Sequence, residues 1–246
     1  MTEHWFEPLA EHMGAAYDRY AHTKGTVQEV DHVIEVLGLQ SGDHVLDVGC
    51  GTGRHAHELA RRGIGVHGID ISQRFVEIAQ SNAPDGATFE RGDARMLGFH
   101  EEFDAVICLC QGAFGMMTAD GEDAAVVAGM AAALRPDGRL ALSAFNAYFA
   151  VKYHEDADFD AATGVSHERT EIRSESGEPK SVDLWTGCYT PRELRMLLTA
   201  HGLAIDSISS VEPGSYGRDP ATVESPEYLV IARVARPSAP KHSLAS

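Results

Sequence analysis

The sequence predicts an α/β fold built on a doubly wound, mostly parallel sheet. Three observations predict it. Short apolar runs alternate with helical stretches between His44 and Phe145, the rhythm of repeated βαβ units. One of those runs, VLDVGCGTGRH from Val45 to His55, passes from a strand through a glycine-rich turn into a helix. The strand after it ends on an acid, Asp70, at the sheet edge where open α/β folds bind ligands.

Taken in order, Met1 to Gly38 reads as helical, with a break near Thr23-Lys24-Gly25. Turn signals at Gly38 and at Ser41-Gly42-Asp43 precede a first strand, His44 to Val48. Helical spacing runs from His55 to Arg62 and stops at Gly63. Gly65 to Ile69 is a second strand, and Ser72 is placed to cap a helix from Gln73 to about Asn82. Ala87 to Arg91 is a third strand. Phe103 to Cys110 is a fourth, apolar nearly throughout and so expected to be buried on both faces. A helix from Ala124 to Leu134 is closed by Pro136-Asp137-Gly138, and Arg139 to Phe145 is a fifth strand. There the rhythm changes. An aromatic and acidic stretch, Ala147 to Asp160, leads to a hairpin of His167–Arg173 and Lys180–Tyr189. Thr190 then caps a helix starting at Pro191, and Ala204–Val211 and Glu227–Val234 are the last strands.

Composition narrows the function. The chain has 246 residues, 43% hydrophobic and 23% charged, enough apolar material for a substantial core. Its net charge is −17 and it has no basic stripe, so nucleic acid and an anionic membrane surface are not expected partners. The first thirty residues are polar and acidic, unlike a signal peptide, and no apolar run has the length of a membrane span. The four cysteines, Cys50, Cys108, Cys110 and Cys188, form no C-x-x-C pair and read as free thiols of a cytoplasmic protein.

Three glycines in five residues exceed what a turn needs and predict a backbone approach to something other than protein. The dinucleotide fingerprint G-x-G-x-x-G fails, because Arg54 holds its third glycine position, and the phosphate loop fails for want of Gly-Lys-Ser/Thr. What remains is D-x-G-x-G-x-G followed by an acid after the next strand. With GIDIS, GDARMLGF (Gly92 to Phe99), FDAVICLCQGAF (Phe103 to Phe114) and ALRPDGRLALSAF (Ala133 to Phe145), this order resembles the class I S-adenosylmethionine-dependent methyltransferases, over roughly residues 29–145.

The resemblance implies a Rossmann-like, seven-stranded sheet with an antiparallel edge, N-terminal lid helices over residues 1–38, and a methyltransferase domain over 39–235. A β-hairpin cap is inserted at about 147–189, and the tail 236–246 is expected to be disordered. It also implies the cofactor, S-adenosyl-L-methionine, and a binding set. Gly49, Cys50, Gly51 and Gly53 would lie beneath its methionine part, with Asp47 near the ammonium. Asp70 would hold the ribose hydroxyls, Ile71 the adenine face, and Asp93 and Ala94 the adenine edge. Leu109 and Gln111 would line the methyl-transfer site, and Tyr20, Thr23 and Lys24 would belong to the lid. The acceptor would be a small molecule methylated on N or O by a monomer or homodimer. The alternative is a protein that holds the cofactor without transferring methyl.

The methyl donor is already activated, so alignment of the nucleophile carries much of the catalysis. A base is needed only for a nucleophile that arrives protonated. His154 and His167, in the cap, are the candidate bases. No metal is expected. His55 and His57 stand two apart on a helix and face different directions, and Cys108 and Cys110 lack a second pair.

Overall fold

The computed structural model describes residues 4–20, 23–116, 122–153 and 157–235. His154 and the tail from residue 236 lie outside these. The strands are β1 (His44–Val48), β2 (Gly65–Asp70), β3 (Ala87–Arg91), β4 (Phe103–Cys108) and β5 (Leu134–Asn146), then β6 (Asp158–Asp160), β7 (Val165–Arg173), β8 (Pro179–Tyr189), β9 (Leu203–Val211) and β10 (Glu227–Val234). The α-helices are α1 (Glu7–Met13), α2 (Thr26–Leu37), α3 (Arg54–Arg61), α4 (Gln73–Ser81), α5 (Glu122–Ala133), α6 (Ala147–Tyr153) and α7 (Pro191–Ala200); a 3-10 turn, Gly14–Arg19, follows α1. None of the described helices is long and apolar enough to cross a membrane.

The main sheet runs β3-β2-β1-β4-β5, all parallel, and continues through β10, antiparallel to β5, to β9. This is the seven-stranded, doubly wound sheet expected, with its antiparallel strand one place in from the edge. Strand alternation divides the core. Leu46, Val106 and Leu142 pack beneath Met130 of α5 and Leu198 of α7, whereas Val45, Ile107 and Ala141 pack beneath Val30, Val33, Ala56 and Leu59 of α2 and α3. Both faces of β4 are therefore covered, which is why its sequence is apolar at every position but Asp104.

Four local readings are corrected. β4 ends at Cys108 because Cys110 and Gln111 take left-handed backbone, φ 51° and 56°, and turn the chain over the sheet edge. β5 begins at Leu134: the Pro136-Asp137-Gly138 turn, with Asp137 at φ 66°, is a bulge within the strand, and the β4 register skips there from Phe103↔Leu134 to Ala105↔Arg139. A helix, α6, does follow β5 directly, and its aromatic residues Tyr148 and Tyr153 are exposed. Finally, the hairpin is a three-stranded antiparallel sheet, β6-β7-β8, joined to the main sheet where Cys188 and Tyr189 pair with Phe145 and Asn146.

The cap and the N-terminal segment are packed onto each other. Leu9, Ala10 and Met13 of α1 bury against Ile172 of β7, Val182 of β8 and Phe75 of α4. Each of the larger side chains contributes roughly 1.5–3 kcal/mol on burial, so lid and cap form one wall above the carboxyl edge of the sheet.

Candidate functional site

The site is built where β1, β2 and β4 end. Gly49, Gly51 and Gly53 all have positive φ, 73°, 56° and 86°. Their surroundings differ. A Cβ on Gly49 would stand 2.0 Å from the Gly112 backbone, and one on Gly53 2.9 Å from His57 and 3.0 Å from Ala79, so these two serve protein packing. Only Gly51 faces open space, with Tyr17 Cε1 its nearest neighbour at 3.8 Å.

The Gly49–Gly112 contact separates two small hollows. One, about 30 Å³, is bounded by Asp70, Ile71, Asp93 and Ala94, with His4 and Phe6 above. The other, about 20 Å³, is bounded by Cys50, Gly51, Thr52, Leu109 and Tyr17. Gly49 and Gly112 line both. A third cavity, about 330 Å³, opens between lid and cap. It shares Phe6 and Met116 with the first hollow and Tyr17 and Cys110 with the second. The loop after β4 joins all three, and it is pinned by Trp5 Nε1 donating to the Met116 carbonyl at 2.9 Å and by Gly187 N donating to the Gly115 carbonyl at 2.7 Å.

Three buried carboxyls stand at this end of the sheet; Asp70 and Glu227 line its cavities, and Asp47, one strand position before Val48, lines none of them. Asp70 accepts the Gly51 amide on Oδ2, at 2.9 Å, and the Ser72 amide on Oδ1, at 2.8 Å, yet burial raises it to about 6. It is only 5% exposed and holds the glycine loop, so it is part of the folded framework and not a dispensable strand end. Asp47 is fully buried, and its Oδ2 has no hydrogen-bond donor. Burial raises it to about 7, with Arg54 opposing and Asp70 adding. Glu227, which opens β10 between Phe145 and Val211, lines the lid–cap cavity; its Oε2 also lacks a donor. Burial raises it to about 7, with Glu29 adding to the rise and Arg54 opposing it.

A fourth carboxyl is fully satisfied. Glu29 of α2 accepts from Arg54 Nη1, from His55 Nε2 at 2.7 Å and from the Gly214 amide at 2.7 Å. Burial alone would raise it, but the His55 and Arg54 contacts bring it down to about 2, while burial holds His55 down at about 4. Glu29, His55 and Cys110 bring their ligand-type atoms within 4.8 Å of one another. Arg54 fills that space, with Nη2 2.9 Å from Cys110 Sγ, so positive charge is already supplied there.

The other sequence-derived positions scatter. Asp93 lines the first hollow and is engaged by Arg95 Nε and Nη2, whose hydrogen bonds hold it below the usual range. Gln111 lines the lid–cap cavity. Tyr20 also lines it and accepts the Arg173 amide on its hydroxyl, at 3.2 Å. Thr23 and Lys24 turn onto the lid's own Asp18 and Tyr20 carbonyls. His167 stacks on Trp185 at 5.0 Å and bonds Asp183 at 3.1 Å; it is not among the residues lining the cavity. The sequence reading missed Tyr17 and Glu227. An apolar run, EYLVIARV, that opens on a carboxyl at its buried end was the available signal for Glu227.

Residues 45–138 match the family model described as a methyltransferase domain. Over 122 residues the chain is 33% identical to a ubiquinone biosynthesis O-methyltransferase of Alkalilimnicola ehrlichii, covering 48% of this chain and 47% of that one. The chain thus spans about half the length of the curated relatives it matches. Its fold is that of the CcbJ methyltransferase from Streptomyces caelestis, with TM-score 0.76 at 18% identity over 92% of this chain and 98% of that one. It is also that of CalS10, an amino pentose methyltransferase from Micromonospora echinaspora solved with S-adenosylmethionine bound, with TM-score 0.64 at 23% identity over 90% and 95% of the two chains.

Proposed function

We propose, from the premise that residues 45–138 belong to the methyltransferase-domain family, that the chain is a methyltransferase. It would use S-adenosylmethionine to methylate N or O of a small molecule. The observation that carries the reading is the adjacency of two hollows at the glycine loop to a larger cavity under lid and cap. A donor and an acceptor can then meet at Tyr17, Cys110 and Gln111.

The residues fit the cofactor. The unpartnered, buried Oδ2 of Asp47 is an acceptor in want of a donor, which the cofactor's ammonium supplies, directly or through water. Gly51 leaves room above the loop, with Cys50 and Leu109 beside it. Asp70, with spare lone pairs, is placed for the ribose hydroxyls, and Ile71, Asp93 and Ala94 bound the hollow suited to adenine. S-adenosylmethionine, when bound, supplies a methyl group activated on a sulfonium. The chain's contribution is to align the acceptor and exclude water. Lid residues 1–38 and the cap at about 147–189 serve as the acceptor's enclosure around a core domain, 39–235, with Tyr20 reaching the cavity and Thr23 and Lys24 bracing the lid turn.

The net charge of −17 supports a small-molecule partner over nucleic acid. The four free cysteines support a reducing, cytoplasmic setting for a monomer or homodimer. Incubation of the chain with methyl-labelled donor and a metabolite extract tests the activity. Label transferred to an extract component supports the reading; cofactor binding with no transfer across extracts points to a protein that only holds the cofactor.

A further inference from the structure

Glu227 is 6% exposed, its Oε2 has no donor, and it lines a cavity of about 330 Å³. An unpaired buried carboxyl is costly to a fold, and such groups collect where a ligand completes them. The cavity fits one kind of ligand. Among the described residues that line it there is no Lys, Arg or His, and Glu171 is a second carboxyl. Its walls are aromatic, with Trp5 and Trp185 edge to face at 5.3 Å. With Glu171 paired to Arg173, Glu227 is the carboxyl left to a ligand, and one such carboxyl in an aromatic enclosure favours a cation with an apolar body.

Resting on the methyltransferase reading, we infer that Glu227 is the acceptor-facing carboxylate, that the acceptor is a small amine with an aromatic or apolar body, and that Glu227 pairs with its ammonium and takes its proton. The steps balance. One ammonium proton passes to the carboxylate and frees the nitrogen lone pair. Nitrogen then forms the bond to the methyl carbon, and the carbon–sulfur pair leaves with the sulfur as a neutral thioether. Nitrogen takes over the positive charge, and Glu227 returns its proton to solvent. The groups around Glu227 leave this role to it. Glu29 on α2 is tied to Arg54 and His55 of α3, and the Cys110 thiol and the Tyr216 hydroxyl, each raised by burial, bond each other. Glu171 of β7 is paired with Arg173, and Tyr17 and Tyr20 complete the lid side. A carboxylate poised near neutrality suits proton transfer at physiological pH.

The chain has two tryptophans, Trp5 and Trp185, and both line this cavity, so intrinsic fluorescence reports its occupancy. The probes are 2-phenylethylamine, 3-phenylpropan-1-ol and 3-phenylpropanoate, titrated with and without S-adenosylhomocysteine. The amine is expected to bind about tenfold or more tighter than the alcohol, and the carboxylate weakest. Glu227→Gln should remove that advantage and leave the alcohol within about twofold. In the unaltered chain, amine affinity should fall between about pH 8 and about pH 5.5, as the carboxyl takes up its proton, while alcohol affinity stays level. Equal binding of the three, no binding of the amine, or an amine preference that survives both Glu227→Gln and acidification overturns the inference. Calorimetry with S-adenosylhomocysteine runs alongside. Its failure to bind strikes at the methyltransferase reading, whereas its binding without an amine preference strikes only at the role of Glu227.

Discussion

Glu29 and Glu227 are both buried glutamates near Arg54, and they differ in almost everything else. Glu29, at 0% exposure, has a charged partner, a histidine and a backbone amide, and is held at about 2; Glu227, at 6%, has an unpartnered oxygen and is raised to about 7. One carboxylate is complete within the fold and ties α2, α3 and the Gly214 loop together. The other is incomplete, as is Asp47. Burial alone therefore does not distinguish structure from function here. What distinguishes them is whether the chain supplies the partner.

The largest effect expected from breaking this contrast is at the complete site. Glu29→Gln leaves Arg54 buried without its counter-charge, and removing one partner of a buried pair costs about 3–5 kcal/mol. Urea unfolding at neutral pH measures it; a loss below about 1 kcal/mol would mean that the cluster is no stronger than a surface pair. Asp70→Asn comes next. It keeps an acceptor for one of the two amides and removes the charge offered to the ribose, so cofactor affinity should fall by about 2–4 kcal/mol, with folding retained. Unchanged affinity in the folded variant would remove Asp70 from the binding set.

Glu227→Gln has the opposite sign to Glu29→Gln in stability. Folding raises this carboxyl from 4.5 to about 7, so between those values the folded chain holds more protons than the unfolded one. The unaltered chain therefore loses stability as pH rises through that window, and the variant does not. The variant should be the more stable at pH 8, by up to about 3 kcal/mol, with the difference gone below about pH 4.5. A variant less stable at pH 8 would mean that Glu227 has a partner in the fold.

The parts of this contrast that lie close together in the chain were legible in the sequence. The Asp47–Gly53 loop, Asp70 and Asp93 announce themselves within fifty residues, because strand, turn and cap chemistry are local. β1, β3 and β10 were read to the residue for the same reason. The rest depends on long-range placement. Gly49 is a glycine because Gly112 approaches it, and no spacing encodes that contact. Glu29 meets Arg54 and Gly214 across 25 and 185 residues. Glu227 looks like an ordinary strand start until the lid and cap close a cavity over it. His167 drew attention by residue type, but its ring is spent on Trp185 and Asp183. α6 was missed because its aromatic face is exposed, without the buried stripe that marks an amphipathic helix.

The central claim is that the glycine loop, Asp70 and the incomplete Asp47 belong to a site for S-adenosylmethionine. Isothermal titration with S-adenosylmethionine, S-adenosylhomocysteine and NAD tests it most directly. Saturable, one-site binding of the first two, with no heat from NAD, is the result the account predicts. Tight binding of NAD with no response to the other two would contradict it, and would return the glycine loop to the dinucleotide-binding class despite Arg54 at the third glycine position.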